Sequence, residues 1–309
     1  MILVFGSQGQ LGRALQDAIG EAPEHVFLSR DSRDYCGEIT NTAGITETLM
    51  GLRPRIIINA AAYTAVDQAE SEADAAFAVN GKAPEVMAQI AAKIGALLVH
   101  YSTDSVFDGS GDKAWKENDG CHPLSVYGKS KRAGEEAIIA SGARHFILRT
   151  SWVYSSHGNN FLTTMLRLAD SKPELRVIND QWGVPTHVDY LAAVTLDLIN
   201  LATPGFGSSH PNPPDWGVYH CAANGETTWY EYAQLVINTA KSLGAAQACS
   251  SIIPVNATEY GSRTPRPLNS RLDTSKLTKF LRQKPPDWQD GVIQTVYQAS
   301  KHSDHDVNA

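Results

Sequence analysis

The sequence is poor in the features that mark a metal site, a membrane span or a nucleic-acid surface. Its four cysteines, Cys36, Cys121, Cys221 and Cys249, are scattered through 309 residues, with no close pair for a zinc site or a redox motif. They read as reduced thiols of a cytosolic, hence cytoplasmic, protein. No basic leader precedes the first strand and no uninterrupted apolar span of about 18 residues occurs, so neither export nor anchoring is expected. Lys and Arg number 26 against 33 Asp and Glu, a net charge of -7. Without a basic run, this balance argues against nucleic acid or an anionic membrane as partner. There is no internal repeat. His302 and His305, in a polar tail expected to fray, are too few for a metal site.

What is present is a core-forming composition, 42% hydrophobic over 309 residues, enough for about two domains. Ile2-Leu-Val-Phe5, Gly6-Ser-Gln-Gly9-Gln-Leu-Gly12 and the periodic stretch from Arg13 to Ile19 read as strand, glycine turn and helix. Such a turn lets backbone amides at a helix N-terminus approach a pyrophosphate, and the helix dipole favours its charge. The spacing, Gly-x-x-Gly-x-x-Gly, is one residue off the commoner dinucleotide fingerprint. A second strand, His25 to Leu28, ends at Ser29-Arg30. An arginine there suits a 2′-phosphate, so NADP(H) is the expected cofactor; the neighbouring Asp31 and a solvated-loop role for Arg30 point the other way.

Further strands are expected at Arg55 to Asn59, opening into Ala60-Ala-Ala-Tyr63-Thr64, and at Ala96 to Tyr101, delivering Ser102-Thr103-Asp104 to the end of the sheet where open α/β folds bind ligands. Glu70 to Lys93 is helix-rich. Downstream lies Pro123-Leu-Ser-Val-Tyr127-Gly-Lys-Ser-Lys131. If this segment is helical, Tyr127 and Lys131 share one face. A free phenol titrates near pH ~10, and a nearby cation would bring it toward the working range. Thr103 could then hold a carbonyl oxygen while Tyr127 protonates it. Spacing alone decides nothing, because Tyr297 and Lys301 repeat it in a tail with no preceding strand or hydroxyl pair.

Another strand at Phe146 to Arg149 completes a regular alternation, which predicts an α/β fold with a Rossmann-type, doubly wound parallel sheet. The pattern then loosens. Helices are expected from Asn159-Asn-Phe161 to Ala169, over Asp189 to Leu201 and over Trp229 to Leu243, with short extended pieces at Arg176 to Asn179 and Gln181 to Thr186. Thr203 to Asp215, rich in Pro, Gly and Ser, reads as a loop. The expected division is a dinucleotide-binding domain over 1–152, joined by a later element near 184–202 that packs back on it, and a smaller C-terminal domain over 153–309. Arg263, Arg266 and Arg271 fall within nine residues of an acidic chain, a cluster suited to a diphosphate or equally to a solvated loop.

These blocks resemble the extended short-chain dehydrogenase/reductase superfamily. Ala65-Val-Asp-Gln-Ala-Glu70, Arg149-Thr-Ser-Trp-Val-Tyr154, Gly158-Asn-Asn-Phe161, Val177-Ile-Asn-Asp-Gln181, Pro185-Thr186 and Asn269-Ser-Arg-Leu272 are similar to the dTDP-4-dehydrorhamnose reductase family within it, over nearly the whole chain. The resemblance implies reduction of the C4 keto group of dTDP-4-dehydro-β-L-rhamnose by NADPH, with NADH admitted as well, in dTDP-rhamnose and cell-surface polysaccharide synthesis, O-antigen included. It implies Thr103, Tyr127 and Lys131 as catalytic residues. Gly6, Gly9, Gln10, Leu11, Gly12, Arg30, Glu38, Ile39, Ala62, Tyr63 and Thr64, with Tyr127 and Lys131, would meet the cofactor. Thr103, Asp104, Trp152, Arg266 and Asn269 would face a dTDP-sugar. Some relatives bind Mg²⁺ through interface glutamates; Ala14 stands at the corresponding position and makes that metal doubtful. A homodimer is compatible. Rival readings are another sugar-nucleotide 4-ketoreductase, a 4-epimerase, a 4,6-dehydratase, or a catalytically silent dinucleotide-binding subunit like the beta subunit of methionine adenosyltransferase. The dehydratase is disfavoured because Thr103 is followed by Asp104-Ser105, without the glutamate that elimination needs.

Overall fold

The computed structural model describes residues 1–20, 22–202, 215–245, 248–261 and 264–303, with side chains up to residue 300. The apolar, β-branched runs of the first half form strands β1 (Ile2–Phe5), β2 (Val26–Leu28), β3 (Ile56–Asn59), β4 (Leu97–Thr103) and β5 (Arg144–Thr150). Their continuous hydrophobicity, rather than an alternating pattern, is what a sheet covered on both faces requires. β6 (Val153–Tyr154), β7 (Glu174–Ile178), β8 (Trp182–Gly183) and β9 (Thr186–His187) follow, then β10 (Gly217–His220), β11 (Thr227–Thr228) and β12 (Ser251–Val255). The main sheet is six-stranded, in the order β10-β5-β4-β3-β1-β2, and every pair in it is parallel. Strand order reverses between β1 and β3, so the crevice of the sheet opens above Phe5 and Asn59, which face each other in register.

Helices α1 (Gln10–Ile19), α2 (Thr42–Leu52), α3 (Val66–Ala69), α4 (Ala73–Phe77), α5 (Ala83–Ile94) and α6 (Val126–Ala140) belong to the first half. α7 (Phe161–Ala169), α8 (Val188–Ala202), α9 (Trp229–Ser242), α10 (Ala257–Tyr260), α11 (Ser275–Leu281) and α12 (Trp288–Ser303) follow. One face of the sheet packs Ile2, Val4, Val99 and Leu148 against Leu15 of α1 and Leu191, Val194 and Leu198 of α8. The other face packs Leu3, Phe5, Ile57 and Leu98 against Ile45 and Leu49 of α2, Met87 and Ala91 of α5 and Ile138 of α6. A separate apolar cluster joins α7, α9 and α12 around Tyr154, Tyr232, Val236, Val292 and Val296, with Trp152, Phe161 and Trp229 at its margin. α8, late in sequence, thus lies on the sheet beside α1, and β10 completes its edge.

The expected loop over 203–215 and Arg263 lie at or outside the edge of the described residues, as does His305. The four cysteines are free thiols. No helix among the described residues is long and apolar enough to cross a membrane.

Candidate active site

The glycine turn is shaped by backbone contact. Gly6 sits at φ 83°, a left-handed conformation that glycine adopts without strain, and its amide donates to Leu28 O at 2.9 Å. A Cβ on Gly12 would stand 2.0 Å from Gly6 O, and one on Gly6 would stand 2.7 Å from Ala61 N across the crevice. Gly9 is the N-cap of α1 and makes no side-chain cap, so the first amides of this helix face an open cleft of about 910 Å³.

Gly6, Gly9, Gln10, Leu11, Arg30, Glu38, Ile39, Ala62, Thr64, Thr103, Asp104, Tyr127, Lys131 and Trp152 all border this cleft. Gly12 lies beneath its floor, in contact with the turn. Tyr63 turns outward, its hydroxyl donating to Glu72 Oε2 at 2.8 Å. Arg266 lies at the surface, its Nη2 2.9 Å from Asp67 Oδ2. Asn269 is buried and ties its loop to the one after β4, giving Nδ2 to Lys113 O at 2.8 Å and taking Arg271 Nε at 2.8 Å. Arg30 is 80% exposed and pairs with Glu38 Oε2 at 3.1 Å.

Three elements converge on the chemistry. β4 runs on through Ser102 to Thr103, carrying the Thr103 hydroxyl to the strand's end. α6 begins where Ser125 caps it, accepting from Gly128 N at 3.1 Å, while Glu70 Oε1 accepts from Val126 N at 2.8 Å. Tyr127 and Lys131 follow one turn apart on that helix. The Tyr127 phenol lines the cleft beside Thr103. Loss of solvent pushes it up to about 12, with the Thr103 hydroxyl pulling down and Asp104 adding to the rise. The phenol is therefore a stable, protonated donor, whereas the residue pattern alone led to an expectation of a phenol drawn down by Lys131. The reason is that Lys131, 2% exposed, directs its ammonium to Tyr101 O at 2.6 Å and meets His100 Nε2 at 3.3 Å. Burial lowers Lys131 to about 8, against the opposing charge of Glu135.

Several contacts that shape the site, some made by residues already expected there, were not legible beforehand. His100 is buried and kept neutral by burial and by Lys131, and its Nδ1 stands 3.1 Å from Asn59 Nδ2. Asn80 lies in a π-helical turn over Ala78–Lys82 and clamps Tyr63 by both backbone groups, accepting from its N at 2.9 Å and donating to its O at 3.0 Å. It also donates to Ser130 Oγ at 3.0 Å, tying the Ala60–Thr64 wall to α6. Gln10 Oε1 accepts from Ser155 Oγ and Asn160 Nδ2, both at 2.8 Å, bridging the glycine turn to the start of α7. Trp152 adopts φ 43°, rare for a bulky residue, and stacks on Trp229 with ring centroids 3.6 Å apart. Strand ends flagged the region, but nothing local to Gln10 or Trp229 names a partner so distant in sequence.

Dinucleotide cleft, buried hydroxyl, phenol and amine define a nicotinamide-dependent oxidoreductase of the extended short-chain dehydrogenase/reductase class. The family model described as the RmlD substrate binding domain matches residues 1–301, and the chain belongs to that family, the dTDP-4-dehydrorhamnose reductases. It is 46% identical over 292 residues to the dTDP-4-dehydrorhamnose reductase of Escherichia coli K12, covering 94% of this chain and 95% of that one. A dTDP-4-dehydrorhamnose reductase of Sinorhizobium fredii is 36% identical over 96% of both chains. Among solved structures, dTDP-4-dehydrorhamnose reductase from Bacillus anthracis in complex with NADP superposes with a TM-score of 0.83 at 32% identity, covering 96% of this chain and 98% of that one. At 20% identity and a TM-score of 0.76, a dTDP-glucose 4,6-dehydratase from Streptomyces venezuelae shares the fold.

Proposed function

We propose that the chain reduces the C4 ketone of dTDP-4-dehydro-β-L-rhamnose with NADPH, giving dTDP-L-rhamnose for cell-surface polysaccharide such as O-antigen. The observation that carries the mechanism is that Thr103, Tyr127 and Lys131 meet on the wall of one cleft, with the phenol kept protonated by loss of solvent. The cradle fits a dinucleotide, since a Cβ at Gly6 or Gly12 would collide with backbone and the α1 amides are free for a pyrophosphate. Gly6, Gly9, Gln10, Leu11 and Gly12 would hold the pyrophosphate end. Glu38, Ile39, Ala62 and Thr64 would flank the adenosine and ribose, and Arg30 would meet a 2′-phosphate. Its exposed ion pair with Glu38 is worth only about 0–1 kcal/mol and yields easily to a phosphate. NADPH bound there supplies the hydride.

The chain's own residues do the rest. Tyr127 protonates the ketone oxygen, Thr103 orients that oxygen, and Lys131 fixes the region behind the phenol through Tyr101 O. Trp152 and Asp104 would face the sugar. Arg266 would exchange the Asp67 carboxylate for the diphosphate, with Asn269 shaping the loop that presents it. At the first-helix position where some relatives carry an interface glutamate for magnesium stands Ala14, which offers no ligand atom. A cytoplasmic homodimer accompanies this reading, and the net charge of -7 favours neither nucleic acid nor an anionic membrane as partner.

The test is loss of NADPH absorbance with enzymatically prepared dTDP-4-keto-L-rhamnose, against dTDP-4-keto-6-deoxyglucose made without the upstream epimerase. Stoichiometric loss with the L-configured sugar alone is expected. Turnover of sugar without net NADPH loss would indicate an epimerase, and NADPH binding without any turnover a silent subunit. Tyr127→Phe should keep NADPH binding and lose about 10² to 10⁴ in kcat.

A further inference from the structure

Trp152, two residues past the end of β5, is held in a conformation that residues of its size rarely adopt. Its φ of 43° lies in the left-handed region, and such a backbone persists only where the surroundings over-determine it. Here they do so on both sides along the chain. Ser151 Oγ donates to Asp104 Oδ2 at 2.8 Å, Thr186 N donates to Trp152 O at 3.2 Å, and Val153 is in register with Thr186 where β6 pairs with β9. The residue so fixed is half-buried and borders the cleft. Strained backbone of this kind gathers where a side chain must be kept in one place for a ligand.

The indole itself lies in a slot built by one two-stranded ribbon. Trp229 stacks on it, with ring centroids 3.6 Å apart and planes 13° apart. Gly183 meets its rim. A Cβ on Gly183 would stand 2.5 Å from Trp152 Cε2, 2.7 Å from Cζ2 and 2.9 Å from Nε1, so any larger residue must displace the indole. Gly183 belongs to β8 and pairs with Thr227 of β11, which runs directly into Trp229 at the start of α9. The ribbon cannot yield easily. Trp182 N donates to Leu268 O at 2.8 Å and Ser270 N to Trp182 O at 2.7 Å, while Thr228 and Glu231 close a capping box on α9. Phe161 packs against Trp229 with ring centroids 4.6 Å apart. Trp152 borders the cleft, whereas Trp229 and Gly183 stand behind it.

We infer that Trp229 and Gly183 are positioning residues for the sugar, holding the Trp152 indole as a fixed wall against which the hexose ring of the sugar nucleotide packs; this rests on the ketoreductase reading above. An indole face is apolar and electron-rich, and suits the C–H groups of a 6-deoxysugar ring. A wall already in place loses no side-chain freedom when the sugar arrives, so its contact counts in full toward affinity. The wall serves the sugar alone, and dTDP without a sugar should not sense it. A stack that served only to hold α9 in place would instead affect stability and every ligand alike.

The experiment is calorimetric titration of the NADPH-loaded enzyme with dTDP-L-rhamnose, which NADPH cannot reduce, and separately with dTDP. Trp229→Ala should weaken dTDP-L-rhamnose binding about tenfold and raise KM for the ketosugar in step, while the affinities for dTDP and NADPH stay unchanged. Trp229→Phe keeps a ring to stack on Trp152 and should recover most of the loss. Gly183→Ala removes no side chain, so it tests the slot independently of how α9 folds; by displacing the indole it too should weaken dTDP-L-rhamnose and spare dTDP. In the double variant the two losses should not add, because an indole no longer held has little more to lose. Equal losses for dTDP and dTDP-L-rhamnose, a Trp229→Phe variant as impaired as Trp229→Ala, additive losses, or unaltered sugar affinity in Gly183→Ala overturns the proposal. Failure of the ketoreductase reading would show in the wild type instead, which would bind dTDP-L-rhamnose no better than dTDP and consume no NADPH with the ketosugar.

Discussion

Glu135 and Arg149 are both buried, with Arg149 Nε and Nη2 2.8 and 2.7 Å from the two carboxylate oxygens. Such a pair contributes little net stability against apolar replacements, but removing one partner strands a charge and costs about 3–5 kcal/mol. Glu135→Gln should therefore cost unfolding free energy of that order, read as a lower urea midpoint at unchanged slope, without altering which sugar is turned over. Because the folded carboxyl is held low, this stability is present above the unfolded value near ~4.3 and is lost as pH falls below it, so the wild type should lose stability in acid over that window while Glu135→Gln loses less. At this scale the sequence was half legible. Tyr127 and Lys131 could be paired because a helix repeats its face every four residues, and the decoy at Tyr297 could be set aside for want of a strand. The destination of the Lys131 ammonium could not be read, since Tyr101 O belongs to another element and a backbone oxygen has no letter of its own.

Among elements, the turn between β1 and α1 shows how little room the crevice leaves. Gly12→Ala would put a Cβ 2.0 Å from Gly6 O, where backbone must move; overpacking of this kind costs about 1–3 kcal/mol. We expect NADPH affinity measured by fluorescence titration to weaken about tenfold, the equivalent of ~1.4 kcal/mol. Gly51→Ala, on α2 with nothing within 4 Å of the added Cβ, should leave that affinity unchanged and gain up to about 1 kcal/mol in stability. Long periodic helices and β-branched strands were readable because their patterns repeat: α9 was expected over Trp229 to Leu243 and spans Trp229–Ser242. The two-residue strands β6, β8, β9 and β11 repeat nothing. Their pairing depends on partners elsewhere in the chain, as when Trp182 meets Thr228. The π turn around Asn80 likewise leaves no period to detect.

For the whole molecule, chain order and spatial order part company at β10. Gly217-Val-Tyr-His220 gave no strand signal, being four residues after a Pro-rich stretch, yet it forms the outer edge of the main sheet against Phe146–Arg149. α8 covers the same sheet on the face shared with α1. A fragment ending at residue 152 would contain the whole glycine turn and both Tyr127 and Lys131, and would still lack this edge and this cover. It should aggregate on expression, and size-exclusion chromatography should find little monomer, whereas a chain ending at 303 stays soluble. Unpaired backbone along an apolar strand is a template for the wrong partner. The same feature sets a timetable at the ribosome: at roughly 5–20 residues per second, β5 emerges on the order of several seconds before the strand that seals it, so the nascent sheet needs a chaperone's shelter during that interval, and slow codons between the two strands would lengthen its exposure.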